Sequence, residues 1–143
     1  MTKIIKNLTL ATLLTIPTMG FASDKAKDLL VIVTTNDSVT QLMAGVLAVQ
    51  SKKQGVNVEM LFCGKAADIV IKGSKEVKLK PKGMSPQMIV KNLIKGGTKV
   101  GVCPPYLPNA NKTKDDLLEG VSVVKPAVIA AKLLEEDTKI LSY

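Results

Sequence analysis

Residues 98–109 read TKVGVCPPYLPN, a short apolar run that ends on a cysteine and then on prolines. Lys99, Val100, Gly101 and Val102 have the β-branched content and length of a central strand, whereas Pro104 and Pro105 cannot donate to a sheet ladder. Cys103 is therefore expected at the carboxyl end of a buried strand. In open α/β sheets the loops diverge at that edge and leave a crevice for ligands, so any chemistry is expected there.

Working outward, Ser85 and Pro86 read as a helix cap and first helical position. Met88, Ile89, Leu93 and Ile94 supply an apolar stripe, and Gly96-Gly97 a stop. The lysine-rich GSKEVKLKPKG before it reads as a solvated loop with a short extended piece at 77–79. Residues 56–62 (VNVEMLF) predict a strand ending at Cys63-Gly64-Lys65, followed by a short helix over 66–71, so both cysteines end strands. Residues 29–34 (LLVIVT) form a continuous apolar run, the best candidate for the central strand of a parallel sheet covered on both faces. Ser38 with Gln41 fits a capping box, opening a helix to about Gln54 with Val39, Leu42, Met43, Val46 and Val49 on one face and Gly55 at its close. Downstream of Cys103, 104–112 reads as a loop, 115–119 as a helical turn ended by Gly120 and 121–124 as extended chain. Pro126 starts a helix through Glu135, and 139–143 (KILSY) closes the sheet as an edge or near-edge strand. Strands alternating with helices predict right-handed crossovers and a layered, mostly parallel α/β sheet in one domain.

The amino end, MTKIIKNLTLATLLTIPTMGFASDK, has Lys3 and Lys6, an uncharged stretch from Leu8 to Ala22 broken by Pro17, and the small pair Gly20 and Ala22 before Ser23. This pattern predicts a secretory signal peptide over 1–22, cleaved after Ala22, with the folded domain at 23–143 and a periplasmic or secreted destination. The stretch falls short of the ~20 residues that span a bilayer, so no membrane span is expected after cleavage. No cysteine at the cleavage point offers a lipid anchor.

The chain of 143 residues carries a formal charge of +8, and every basic residue is lysine. Without arginine or tryptophan, and with Phe62, Tyr106 and Tyr143 as the aromatics after the leader, base readout and stacking platforms are poorly supplied, and no nucleic-acid partner is expected. The absence of histidine removes Ser-His-Asp and Cys-His catalysis and the usual zinc sites. Covalent chemistry is left to Cys63 and Cys103, in a compartment where disulfides form.

The order of elements, with KVGVC at 99–103 and LLEGVSVVKPAVIAAKLLEEDTKILSY at 117–143, resembles the exported, single-domain members of the DsrE/DsrF-like family. That resemblance covers 29–143 and implies a three-layer α/β/α sandwich that assembles as a trimer or hexamer. In sulfur-relay members a cysteine at the end of this strand carries a persulfide, a role that maps onto Cys103. The chain departs from them where Pro104, Pro105 and Pro108 replace the start of a small-residue helix with basic residues. No cofactor or metal is implied, and a sulfur donor or acceptor protein is the implied partner.

A sulfur carrier needs an accessible thiolate held down in pKa by positive surroundings or helix amides. Lys65 and Lys112, with Asn36 and Ser38 at the start of the first helix, are expected on the same edge as Cys103 and are candidates for stabilising a thiolate or anion. The bland reading of Cys103, set against its place at a strand end, is a small buried hydrophobe. A disulfide to Cys63 is allowed by the compartment, but a flavodoxin-like order with the first strand between the other two would separate the α-carbons by roughly 10 Å. That exceeds the ~7 Å limit of a bridge, so two free thiols are expected, with Cys63 accessory or resolving. A Cu(I) site of Cys63, Cys103 and Met60 or Met84 is a third reading, set against methionines that pack in the core. The alternative to sulfur relay is a non-catalytic, oligomeric binding or accessory module with the same fold.

Overall fold

The computed structural model describes residues 26–143. The expected signal peptide and its cleavage point lie outside the described residues.

Strand β1 (Asp28–Val33) feeds helix α1 (Ser38–Lys53), which leads to β2 (Asn57–Phe62). A 3₁₀ turn (Gly64–Val70) and a long loop then precede α2 (Pro86–Lys95) and β3 (Lys99–Val102). The four-residue helix α3 (Tyr106–Asn109) and a 3₁₀ turn (Lys114–Asp116) lead to β4 (Val121–Val123), α4 (Pro126–Leu133) and β5 (Thr138–Ser142). All neighbouring strands run parallel, in the order β4-β3-β2-β1-β5.

This is the layered α/β sandwich that the alternation of elements predicts, but its order is not flavodoxin-like. The chain steps one way from β1 through β4 and only then returns to place β5 beyond β1. The strand expected at the centre, β1, is therefore one in from the edge, and β2 holds the centre. Right-handed crossovers put α1 and α2, whose connections step forward, on one face, and α4, whose connection steps back, on the other. The expected edge strand at the carboxyl end is β5, paired on β1.

The main core fills the first face. Val31, Val33, Val58, Met60, Phe62, Val100 and Val102 alternate along β1 to β3 and pack with Ala44, Ala48, Ile89, Val90 and Leu93 of α1 and α2. The second face is thinly covered: Leu30 and Leu61 are buried, yet α4 contributes no buried residue. Lys132 anchors α4 instead, its ammonium 3.2 Å from Asp28 of β1 and 3.8 Å from Glu59 of β2.

Two local expectations need correction. Asp37, not Ser38, caps α1, because its carboxylate accepts the amide of Thr40 at 2.8 Å, while Gln41 turns its side-chain amide to the Thr35 carbonyl. The buried face of α1 is Gln41, Ala44, Gly45 and Ala48, whereas Val39 and Met43 are exposed. Small residues win there because α1 lies close on α2: a Cβ on Gly45 would meet the Ile89 side chain at 2.6 Å. The Ser85 cap of α2 is as expected, with its hydroxyl accepting the amide of Met88 at 3.1 Å.

Candidate functional site

The strand order decides the site. Because β2 and β3 are direct neighbours, with Phe62 opposite Val102, the residues that follow them face each other. Cys63 and Cys103 have α-carbons 5.0 Å apart and form a disulfide. The expectation of two free thiols is overturned: it rested on an intervening β1, and a single strand spacing of ~4.8 Å brings the pair within bonding reach. The placement of both cysteines at strand ends is as expected. The Cys103 amide donates to the Phe62 carbonyl at 2.9 Å and that of Cys63 to the Val33 carbonyl at 3.0 Å. Neither residue is fully buried. Met60 is sealed in the core and Met84 packs against it, so both methionines serve packing.

The bond lies in a cleft of about 550 Å³ lined by Cys63, Lys65, Asp68, Cys103, Tyr106 and Asn109, among others. Gly64, at φ +56°, takes the left-handed turn that swings the chain from β2 into the 3₁₀ turn, and this places Lys65 and Asp68 in the wall. The opposite wall is α3, unexpected within the 104–112 loop. Its prolines are compatible with a helix start: Pro105 precedes the first turn and Pro108 lies within it, where backbone N–H groups have no intrahelical partner. The turn buries Tyr106, whose hydroxyl donates to the Asp68 carboxylate at 2.7 Å. Burial first, and then this bond, push the phenol well above its ordinary ionisation range, so it remains a donor.

Of the residues expected around the cysteines, Lys65 lines the cleft itself. Asn36, Ser38 and Lys112 line a neighbouring cleft at the same sheet edge, which shares Lys65, Asp68 and Tyr106 with the first. Sequence reasoning missed Asp68 and Tyr106. The available signal was their closeness in sequence to the cysteines, five residues after Cys63 and three after Cys103.

No family model and no curated protein matches the chain. Solved structures do. The ychN protein from E. coli superposes with a TM-score of 0.68 at 16% identity, covering 82% of this chain and 99% of that one. MTH1491 from Methanobacterium thermoautotrophicum, a protein of unknown function, gives 0.62 at 19% identity over 81% and 98%. BT1422 from Bacteroides thetaiotaomicron, also of unknown function, gives 0.59 at 20% identity over 85% and 99%. At these identities the likeness is one of fold, and what it shows for this chain is the five-stranded, all-parallel α/β architecture.

Proposed function

We propose that this chain is an exported protein that binds or relays sulfane sulfur through Cys103, with Cys63 as the resolving thiol, and that it works as a homo-oligomer. The supporting observation is the pair itself: the two cysteines meet across neighbouring strand ends, partly accessible, in an open cleft. Lys65 in the wall favours a thiolate electrostatically.

The chemistry starts from the dithiol, formed when an external dithiol reductant opens the bond. The Cys103 thiolate attacks the outer sulfur of a donor persulfide RS–SH, the donor S–S bond breaks and RS⁻ leaves. Cys103 then carries S–SH, which an acceptor thiolate can remove in the same way. Without an acceptor, the Cys63 thiolate attacks the sulfur of Cys103, hydrosulfide departs and the Cys63–Cys103 bond re-forms. The disulfide is the discharged state of this cycle.

Mass spectrometry of reduced protein treated with polysulfide tests the reading. An adduct of about 32 Da per sulfur is expected on Cys103, accumulating in Cys63→Ser and missing from Cys103→Ser. An adduct that survives Cys103→Ser and disappears in Cys63→Ser assigns the carrier to Cys63 instead. No adduct in any variant removes sulfur relay.

A second reading is favoured by the formed bond: a non-catalytic, oligomeric binding or accessory module in which the disulfide is a staple. Support for assembly is the same under both readings, namely Val128 and Leu133 exposed on α4, Leu134 at its C-cap and Ile140 on β5. Export rests on the leader-like pattern ending at Ala22 and is checked by the amino terminus of protein recovered from outside the cytoplasm.

A further inference from the structure

The second cleft, of about 490 Å³, has a composition of its own. Its charged lining is Lys65, Lys72, Lys75 and Lys112 against Asp68 alone. Asp68 already accepts the Tyr106 hydroxyl, and the Lys72 ammonium donates to the Asp115 carbonyl at 2.7 Å. Among the described residues none of these four lysines forms an ion pair with a carboxylate. Like charges gathered around one concavity repel, and a bound anion relieves that repulsion.

A second observation is independent of charge. Gln87, 4% exposed, lines this cleft and donates through Nε2 to the Lys75 carbonyl at 2.7 Å. Its Oε1 is buried with no hydrogen-bond partner. A buried acceptor left unmade is costly, so the ligand that completes it offers an N–H or O–H. The amino end of α1 is not the anion site, because the Asp37 carboxylate already occupies it.

We propose that this cleft binds a small, carboxylate-bearing peptide thiol or its persulfide: lysines hold the carboxylates, Gln87 accepts an amide N–H, and the sulfur lies toward the cysteine pair. The shared wall of Lys65, Asp68 and Tyr106 makes the two clefts continuous neighbours, and the volume falls in the ~300–1,000 Å³ range of small-molecule sites. The sulfur part of the assignment rests on the relay reading; recognition of carboxylate and amide does not.

The test uses S-methylglutathione, which keeps the carboxylates and amides but has no free thiol. Calorimetry or NMR titration should give saturable binding that weakens by about tenfold or more in Lys65→Gln/Lys112→Gln, since charge-assisted contacts are lost. A Lys53→Gln/Lys139→Gln control carries the same net-charge change outside the cleft and should bind as the wild type does. All four side chains are exposed, so the variants keep the fold. Absence of saturable binding, or equal weakening in the control, overturns the proposal. Binding of S-methylglutathione without sulfur uptake by Cys103 from glutathione persulfide sinks the relay reading and leaves the cleft as a peptide-carboxylate site. Sulfur uptake from polysulfide without S-methylglutathione binding does the reverse.

Discussion

Tyr106 and Asp68 link the two walls of the cysteine cleft through a single side-chain hydrogen bond. Tyr106→Phe deletes the hydroxyl while keeping the buried ring, and is expected to lower stability by about 1 kcal/mol, read as a shifted denaturant midpoint at unchanged slope. The cysteines themselves set a larger effect. Their bond closes a loop across 40 residues of sequence, so reduction, or Cys63→Ser, is expected to lower unfolding free energy by about 2–4 kcal/mol in the same measurement. Residue-scale features were legible where a local signal exists. Prolines after Cys103 and Gly64 after Cys63 mark the two strand ends without help from the rest of the chain. The Tyr106–Asp68 pair was not legible, because it joins loops 38 residues apart, and nothing in either loop announces the other.

Among the elements, α1 and α4 are held by opposite means. α1 packs through small residues, so Gly45→Val should overpack the contact with Ile89 and cost about 1–3 kcal/mol, measurable by chemical denaturation. α4 buries no residue and depends on Lys132, whose side chain is 14% exposed against Asp28 and Glu59 of the sheet and Glu135 of its own segment. Lys132→Ala leaves those carboxylates without their shared cation. It should raise amide exchange in 126–133 well above that of α1, while the α1 amides stay protected. The sequence showed where both helices lie, since the polar turn before Ser38, Gly55 and Pro126 punctuate them, although the capping side chain is Asp37 and not Ser38. It did not show which face of α1 is buried, because large apolar side chains suggest a stripe, and only the close approach of α2 selects the small one.

For the molecule as a whole, strand order was the hidden quantity. Alternating elements and right-handed crossovers dictate a parallel layered sheet, but they leave open whether each new strand is added beside the last or on the far side of β1. That one choice moved the cysteines from two strand spacings apart to one. It also places them at the ends of β2 and β3, away from the β1/β5 boundary where the direction of winding reverses.

Charge sets the pH response at this scale. Hydrogen bonds hold three carboxyls below their usual range: Asp28 mainly through Asn57, against burial and with help from Lys132, Asp37 through Thr40, and Asp116 through Thr113. Their contribution is present above about pH 4 and is lost as pH falls through the folded-state values. Lys27 is raised by its bond to Asp137. Burial pulls Lys132 down, but its bonds to Asp28 and Glu135 outweigh that and raise it. The lysine contributions are present below about pH 10 and are lost above it. With no histidine and both cysteines bonded, no side chain of ordinary pKa titrates between about pH 5 and 9. Thermal midpoints should therefore be flat from about pH 5 to 9 and fall on both sides. A transition near neutrality would reveal a group whose environment differs from this structure.

Alkylation of the native protein, read by intact mass before and after treatment with a dithiol reductant in the absence of denaturant, bears most directly on the paired cysteines. The predicted result is no alkyl group before reduction and two after it, one on Cys63 and one on Cys103. Labelling of Cys103 in unreduced folded protein, or no labelling until the chain is unfolded, would contradict an accessible, openable bond at the ends of β2 and β3.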